Sequence, residues 1–98
     1  MTVYRVRYTF EAAGRICKLH PEVKQEIREA IRTLEDSPLI GHTLQQELAG
    51  FRSYRVRTYR IIYRLNDEDR TIDIVFVGQR RNVYEELLSL VRSPFYRN

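Results

Sequence analysis

Four arginines fall within the stretch SYRVRTYRIIYR, residues 53 to 64: Arg55, Arg57, Arg60 and Arg64, interleaved with Tyr54, Val56, Tyr59, Ile61, Ile62 and Tyr63. The alternation is that of β-structure, in which successive side chains point to opposite faces. A guanidinium is planar, permanently charged and forked, and it can grip two oxygens of a phosphate at once. Burying it without a partner is costly, so a row of arginines on a strand calls for an anion. The chemistry implied is binding and stabilising negative charge. A second pair, Arg80 and Arg81, stands immediately before Asn82, where the backbone N–H groups of a helix start add to the positive potential. Tyr84, in the first turn of that helix, can offer its ring or its hydroxyl to the same strand ends.

Groups that could move a proton are scarce. His42 lies in the loop over residues 39 to 50, near the second strand, and is the candidate base; a solvent-exposed loop histidine is the alternative. His20 precedes Pro21 at a helix start and reads as structural. Asp67, Glu68 and Asp69 form a polar turn, and carboxylates so placed usually serve the turn. There is no Cys/His cluster, phosphate-binding glycine loop or nucleophilic triad in the sequence, so neither a metal nor a cofactor is expected.

Composition sets the frame. The 98 residues predict one domain spanning 1–98, and the net charge is +4, from 17 Lys+Arg against 13 Asp+Glu. All but Lys18 and Lys24 of those cations are arginine. An arginine-favouring genome would account for that excess as well as phosphate binding does, so position rather than composition carries the argument. Cys17 is the single cysteine, which excludes an intrachain disulfide, and its apolar helical setting predicts a small buried hydrophobe. The opening MTVYRVRYTF has no signal-peptide run, and no stretch approaches the ~20 apolar residues of a spanning helix, so a cytoplasmic protein without a membrane partner is expected.

The elements that must position these residues follow from periodicity. Residues 2 to 8 alternate as a strand, with Tyr4, Val6 and Tyr8 on one side and Arg5 and Arg7 on the other. Thr9 predicts an N-cap for a helix over Phe10 to Leu19, with Phe10, Ala13, Ile16 and Cys17 as its apolar stripe, weakened by Gly14. Pro21 opens a second helix whose Val23, Ile27, Ala30, Ile31 and Leu34 form one stripe, ended by Ser37-Pro38. Residues 39 to 50 read as a connection anchored by Leu44 and Leu48. Three strands follow, the last of them TIDIVFV at 71 to 77, apolar enough to be central. Asn82 and Glu85 have capping spacing for a final helix docking through Val83, Leu87, Leu90 and Val91 and stopped by Pro94. The order β-α-α-β-β-β-α predicts an α+β domain, a mainly antiparallel sheet with the two N-terminal helices on one face.

The stretch from 53 to 64 reads either as one continuous strand or as a hairpin turning at Arg57-Thr58. With a two-residue turn, Val56 pairs with Tyr59 and Arg55 with Arg60. Arg55, Arg60, Ile62 and Arg64 then share one face, and Tyr54, Val56, Tyr59, Ile61 and Tyr63 the other. Arg-Thr is poor chemistry for such a turn, so a longer or bulged connection stays open. Like charges directly opposite are unfavourable, which suggests an anion over them; solvated arginines whose stems cover apolar sheet are the plainer alternative.

LAGFRSYRVRTYRIIYRL followed by IVFVGQRRNVYEEL resembles the RelE/ParE superfamily of type II toxin–antitoxin toxins, over essentially the whole chain. The matching features are Leu44, Leu48 and Gly50, the strand Tyr59 to Tyr63, and the segment Gly78 to Tyr84. The resemblance implies a toxin neutralised by a cognate antitoxin. RelE-like members are ribosome-dependent endonucleases that cut mRNA in the A site, whereas ParE-like members inhibit DNA gyrase, and fold does not choose between them. A plain RNA-binding relative without catalysis is a third class. By this resemblance Arg60 holds the scissile phosphate, Arg80 neutralises charge as the bond breaks, and Tyr84 stacks on or hydrogen-bonds to the substrate. Arg55 joins them as a catalytic candidate, with Arg57, Arg64 and Arg81 as substrate-binding candidates. Arg55 and Arg57 stand where the best-known RelE-like toxins have lysines, and Gln79 where many relatives have histidine. Arginine is not a general base at neutral pH. In one related branch an acidic residue stands close to the position of His42.

Overall fold

The computed structural model describes residues 4–93. Its elements are β1 (Arg5–Tyr8), α1 (Phe10–Cys17), α2 (Pro21–Asp36), β2 (His42–Thr43), a 3₁₀ turn (Gln46–Leu48), β3 (Arg52–Val56), β4 (Tyr59–Asn66), β5 (Thr71–Gln79) and α3 (Val83–Val91). The five strands form one sheet in the order β1-β5-β4-β3-β2. β1 pairs with β5 in parallel, and every other pairing is antiparallel. This is the α+β architecture expected, with β5 an interior strand between β1 and β4, buried along nearly its whole length.

β5 owes its two-sided burial to a bulge. Ile62 pairs with Phe76 but the next residue, Tyr63, pairs with Ile74, so Val75 has no partner on β4. The extra residue inverts the alternation. Ile72, Ile74 and Val77 therefore all enter one core, with Ile61 and Tyr63, while Val75 and Phe76 enter a second core on the other face. Thr9 donates its hydroxyl to the Val75 carbonyl at 2.8 Å and accepts from the Ala12 N–H at 3.1 Å. One side chain thus serves the bulge and caps α1.

That tie sets which side of α1 meets the sheet. Ala12, small enough for close approach, is fully buried, whereas Phe10 is 96% exposed. Cys17 is also exposed, not the buried hydrophobe its neighbours suggested, because of the stripe expected through Phe10, Ala13, Ile16 and Cys17 only Ile16 packs against the core. α2 follows its periodicity: Ile27, Ala30, Ile31 and Leu34 are buried in the same core. His20 caps α2, its Nδ1 accepting from the Glu22 N–H at 3.2 Å, the structural role read for it.

Three features depart from the expected outline. The connection after α2 contains a short strand, β2, which adds to the sheet edge beside β3. α3 packs on the face opposite α1 and α2, where Val83 and Leu87 join Phe51, Ile62, Val75 and Phe76. Leu44 and Leu48 are partly buried against that second core, the anchoring read from their spacing. Asn82 occupies the N-cap position of α3, but its side chain makes no capping bond because its backbone is already helical. Pro94, expected to end α3, lies outside the described residues.

Candidate functional site

The β3–β4 hairpin turns at Arg57-Thr58 with the register Arg55 opposite Arg60 and Val56 opposite Tyr59. Arg57 takes up the strain of an unsuited turn sequence, with φ at 54°, in the left-handed region. Tyr54, Val56 and Tyr59 pack against the first core, so Arg55, Arg60 and Arg64 point to the second face, beneath α3. On the far side of Arg60 its β5 partner is Gly78. A Cβ there would lie 3.0 Å from a Phe76 ring carbon and 3.3 Å from a Val83 methyl. The glycine therefore lets the start of α3 sit close against the strand that faces Arg60.

This close docking brings Tyr84 to the arginine. The Tyr84 hydroxyl donates to Ser53 Oγ at 3.1 Å, and Arg60 Nη1 donates to the same oxygen at 3.3 Å. The Arg60 guanidinium carbon lies 5.9 Å from the centre of the Tyr84 ring, within cation–π range. Arg60 Nε is buried and has no hydrogen-bond partner among the described residues. Ser53 is fully buried and stands directly opposite His42 of β2, which places the exposed His42 on the same face at the sheet edge. Ser53 carried no weight in the sequence because it has neither charge nor ring. The hairpin register alone could have flagged it, two residues before Arg55 on the same face.

His42 sits in a strand rather than a free loop, and the segment before it is pinned. The buried Tyr63 hydroxyl donates to the Pro38 carbonyl at 2.7 Å and accepts from the Gly41 N–H at 3.0 Å. Burial pushes the Tyr63 phenol up from its usual pKa, which keeps the proton it donates. Arg52 Nη1 donates to the carbonyls of Leu39 and Gly41.

The remaining candidates divide. The Arg80 backbone N–H bonds to the Thr58 carbonyl, joining the end of β5 to the hairpin turn, and exposed Arg80 and Arg81 line an open recess with Thr58, Gln79 and Asn82. Exposed Arg55 donates from Nε to the Arg57 carbonyl at 3.4 Å. Arg64 lies 5.8 Å from the Phe51 ring centre and opposite Asp73 on β5, further from Tyr84 along β4. Arg57 is not brought to the group: its Nε pairs with Glu26 of α2 at 2.6 Å, on the side of the first core. Asp67 accepts from the Tyr4 hydroxyl at 2.8 Å and Asp69 pairs with Arg7, so both serve the turn that holds them.

Ion pairing divides the arginines. Arg7 pairs with Asp69 and Asp73, Arg15 with Glu11 and Glu86, Arg57 with Glu26 and Arg92 with Glu47. Among the described residues, no carboxylate lies within ion-pair distance of Arg55, Arg60, Arg80 or Arg81. Among the same residues Arg5 of β1 and Arg28 and Arg32 of α2 also lack a carboxylate partner, so what distinguishes the site is unpaired arginines gathered beside Tyr84. Uncompensated guanidinium groups beside an aromatic ring can hold a phosphodiester and a base.

Known proteins share this frame. A family model described as the ParE toxin of type II toxin–antitoxin system, parDE, matches residues 6–84. Toxin RelG of Mycobacterium tuberculosis is 40% identical over 83 residues, covering 83% of this chain and 95% of its own length. A chain of the toxin–antitoxin complex RelBE2 from Mycobacterium tuberculosis superposes with a TM-score of 0.73 at 40% identity, over 80% of this chain and 99% of that one. The isolated E. coli RelE toxin has the same fold, with a TM-score of 0.69 at 22% identity over 88% of this chain and 96% of its own. A sheet flanked by helices on both faces, a match over most of the chain and a relative at this identity together make it a member of the RelE/ParE superfamily of type II toxin–antitoxin toxins.

Proposed function

We propose that this toxin is a ribosome-dependent mRNA endonuclease, cutting in the A site. The reaction is attack of an RNA 2′-OH on the adjacent phosphorus, breaking the P–O5′ bond to leave a 2′,3′-cyclic phosphate and a 5′-OH. The observation that carries this reading is the group of arginines without carboxylate partners, with Arg60 held against Tyr84. Arg60 grips the scissile phosphate, while Arg80 and Arg55 stabilise the charge that grows on its oxygens. Arg64 and Arg81 hold flanking phosphates, and Arg57 reaches the RNA only by leaving Glu26. Tyr84 stacks on or bonds to the substrate. His42, on the same sheet face, accepts the 2′-OH proton. Fixing geometry and stabilising charge supply much of the acceleration in such a site.

Two relatives of the fold are solved with antitoxins, as the RelBE2 complex and the E. coli RelBE complex. A cognate antitoxin is accordingly the partner proposed here, through an acidic amphipathic segment that covers the arginines or displaces α3. Gyrase inhibition is the second reading, favoured by the ParE description of the matching family model. Induced expression followed by mapping of mRNA 5′ ends separates the two. Codon-phased cuts are the expected result, and intact mRNA with blocked replication would favour gyrase.

A further inference from the structure

We propose that Ser53 is a positioning residue of this site, its hydroxyl fixing the phosphate-binding guanidinium and the substrate-contacting phenol at one point. The inference rests on the endonuclease reading, but its structural part can be tested without cleavage. A serine oxygen has two lone pairs to accept with. One is taken by Arg60 from β4 and the other by Tyr84 from α3. Arginine can only donate, and among the described residues neither Arg60 nor the Tyr84 hydroxyl has another side-chain hydrogen-bond partner. Ser53 is itself fully buried and set between His42 and Ile62 in register, so its oxygen cannot wander. A rigid strand atom thus ties down the ends of two longer side chains on separate elements. Such alignment acts on the reacting geometry, while the charges of Arg55, Arg80 and Arg81 sustain binding without it.

Ser53→Ala deletes only the oxygen. In single-turnover cleavage of a message on programmed ribosomes, the maximal rate falls about 10- to 100-fold. The half-saturating toxin concentration stays within about twofold, since the cations remain. Tyr84→Phe removes the same linkage from the other end, so the double variant is no slower than about the slower single variant, the signature of residues acting as a unit. In ¹⁵N NMR of the free protein, the bond to Ser53 holds the Arg60 guanidinium so that its Nη–H signal is resolved in the wild type, and that signal merges with those of the exposed arginines in Ser53→Ala. If Ser53→Ala does not fold, Ser53→Cys, with its weaker acceptor, takes its place. A rate within twofold of wild type, multiplying losses in the double variant, or an unchanged Arg60 signal would overturn the proposal. A wild-type protein that cuts no message would sink the endonuclease reading instead, and the NMR result would still decide whether Ser53 holds Arg60.

Discussion

Arg60 and Arg80 differ in setting, and that difference matters for how each is tested. Arg60 is half-buried between β3, Gly78 and Tyr84, whereas Arg80 is exposed at the rim of a recess. Among the described residues neither has a carboxylate partner that truncation would orphan, so truncation removes a contact to the ligand and little folding energy. Arg60→Ala and Arg80→Ala should each lower single-turnover cleavage by roughly 10² to 10³, the cost of losing a charge contact made in the transition state. Growth arrest should vanish while soluble yield and melting temperature hold. Full toxicity at equal expression would remove that residue from the site. For His42 the readout is the size of the loss. His42→Gln keeps a polar side chain but cannot accept the 2′-OH proton, and should slow cleavage about 10²-fold. A change below about threefold would leave the reaction to Tyr84 and the arginines, acting electrostatically.

At the scale of elements, most of the frame was legible, and what was not traces to single residues. Alternation in SYRVRTYRIIYR left a continuous strand and a hairpin both open, and of these the hairpin with a two-residue turn, which sets Arg55 opposite Arg60, is the one found. The stripe of α2 was clear, since Ile27, Ile31 and Leu34 recur at turn spacing. The bulge at Val75 was invisible because the run from Ile74 to Val77 around it is wholly apolar and offers no polar residue to betray a change of face. The orientation of α1 was misread because Phe10 outweighs Ala12 in hydrophobicity, while the Thr9 hydroxyl, bonded to the bulge, decides which one meets the sheet. β2 was missed because two residues carry no periodicity, and with it went the placement of His42 opposite Ser53. The role of Gly78 also emerged only from packing. Gly78→Ala should destabilise the fold by about 1–3 kcal/mol through overpacking against Phe76 and Val83. It should also push Tyr84 from Arg60 and so cut activity more than stability alone explains. Urea melts and cleavage rates for the variant check both, and wild-type values for both would contradict the account of α3 docking.

For the whole molecule, one charge pair between β1 and β5 sets a pH response. Arg7 of β1 grips Asp73 of β5 through Nε at 2.9 Å and Nη2 at 3.1 Å. Burial alone would raise the Asp73 carboxyl, but the Arg7 bonds and the nearby charge of Arg64 outweigh it and hold the group below its usual value. A depressed carboxylate stabilises the fold above its unfolded pKa of about 4 and loses that contribution as pH falls through the folded value. Urea melts should therefore show the wild type losing stability more steeply than Asp73→Asn as pH falls below about 5; parallel curves would refute the assignment. Neutralisation is also a property of the whole surface. With a bound antitoxin, hydrogen exchange should slow across residues 53 to 64 and 78 to 88, or quicken in α3 if the helix is displaced. Protection confined to residues 22 to 35 would mean that silencing acts away from the arginines and would move the gyrase reading ahead. The central claim, that these arginines serve cleavage by the RNA's own 2′-hydroxyl, is tested most directly with purified toxin and ribosomes carrying a defined message, intact or with a single 2′-deoxynucleotide at the cut position. The account predicts that the intact message is cut to a 2′,3′-cyclic phosphate and a 5′-OH, and that the deoxy message survives. An intact message left whole, or a deoxy message cut as fast, would contradict it.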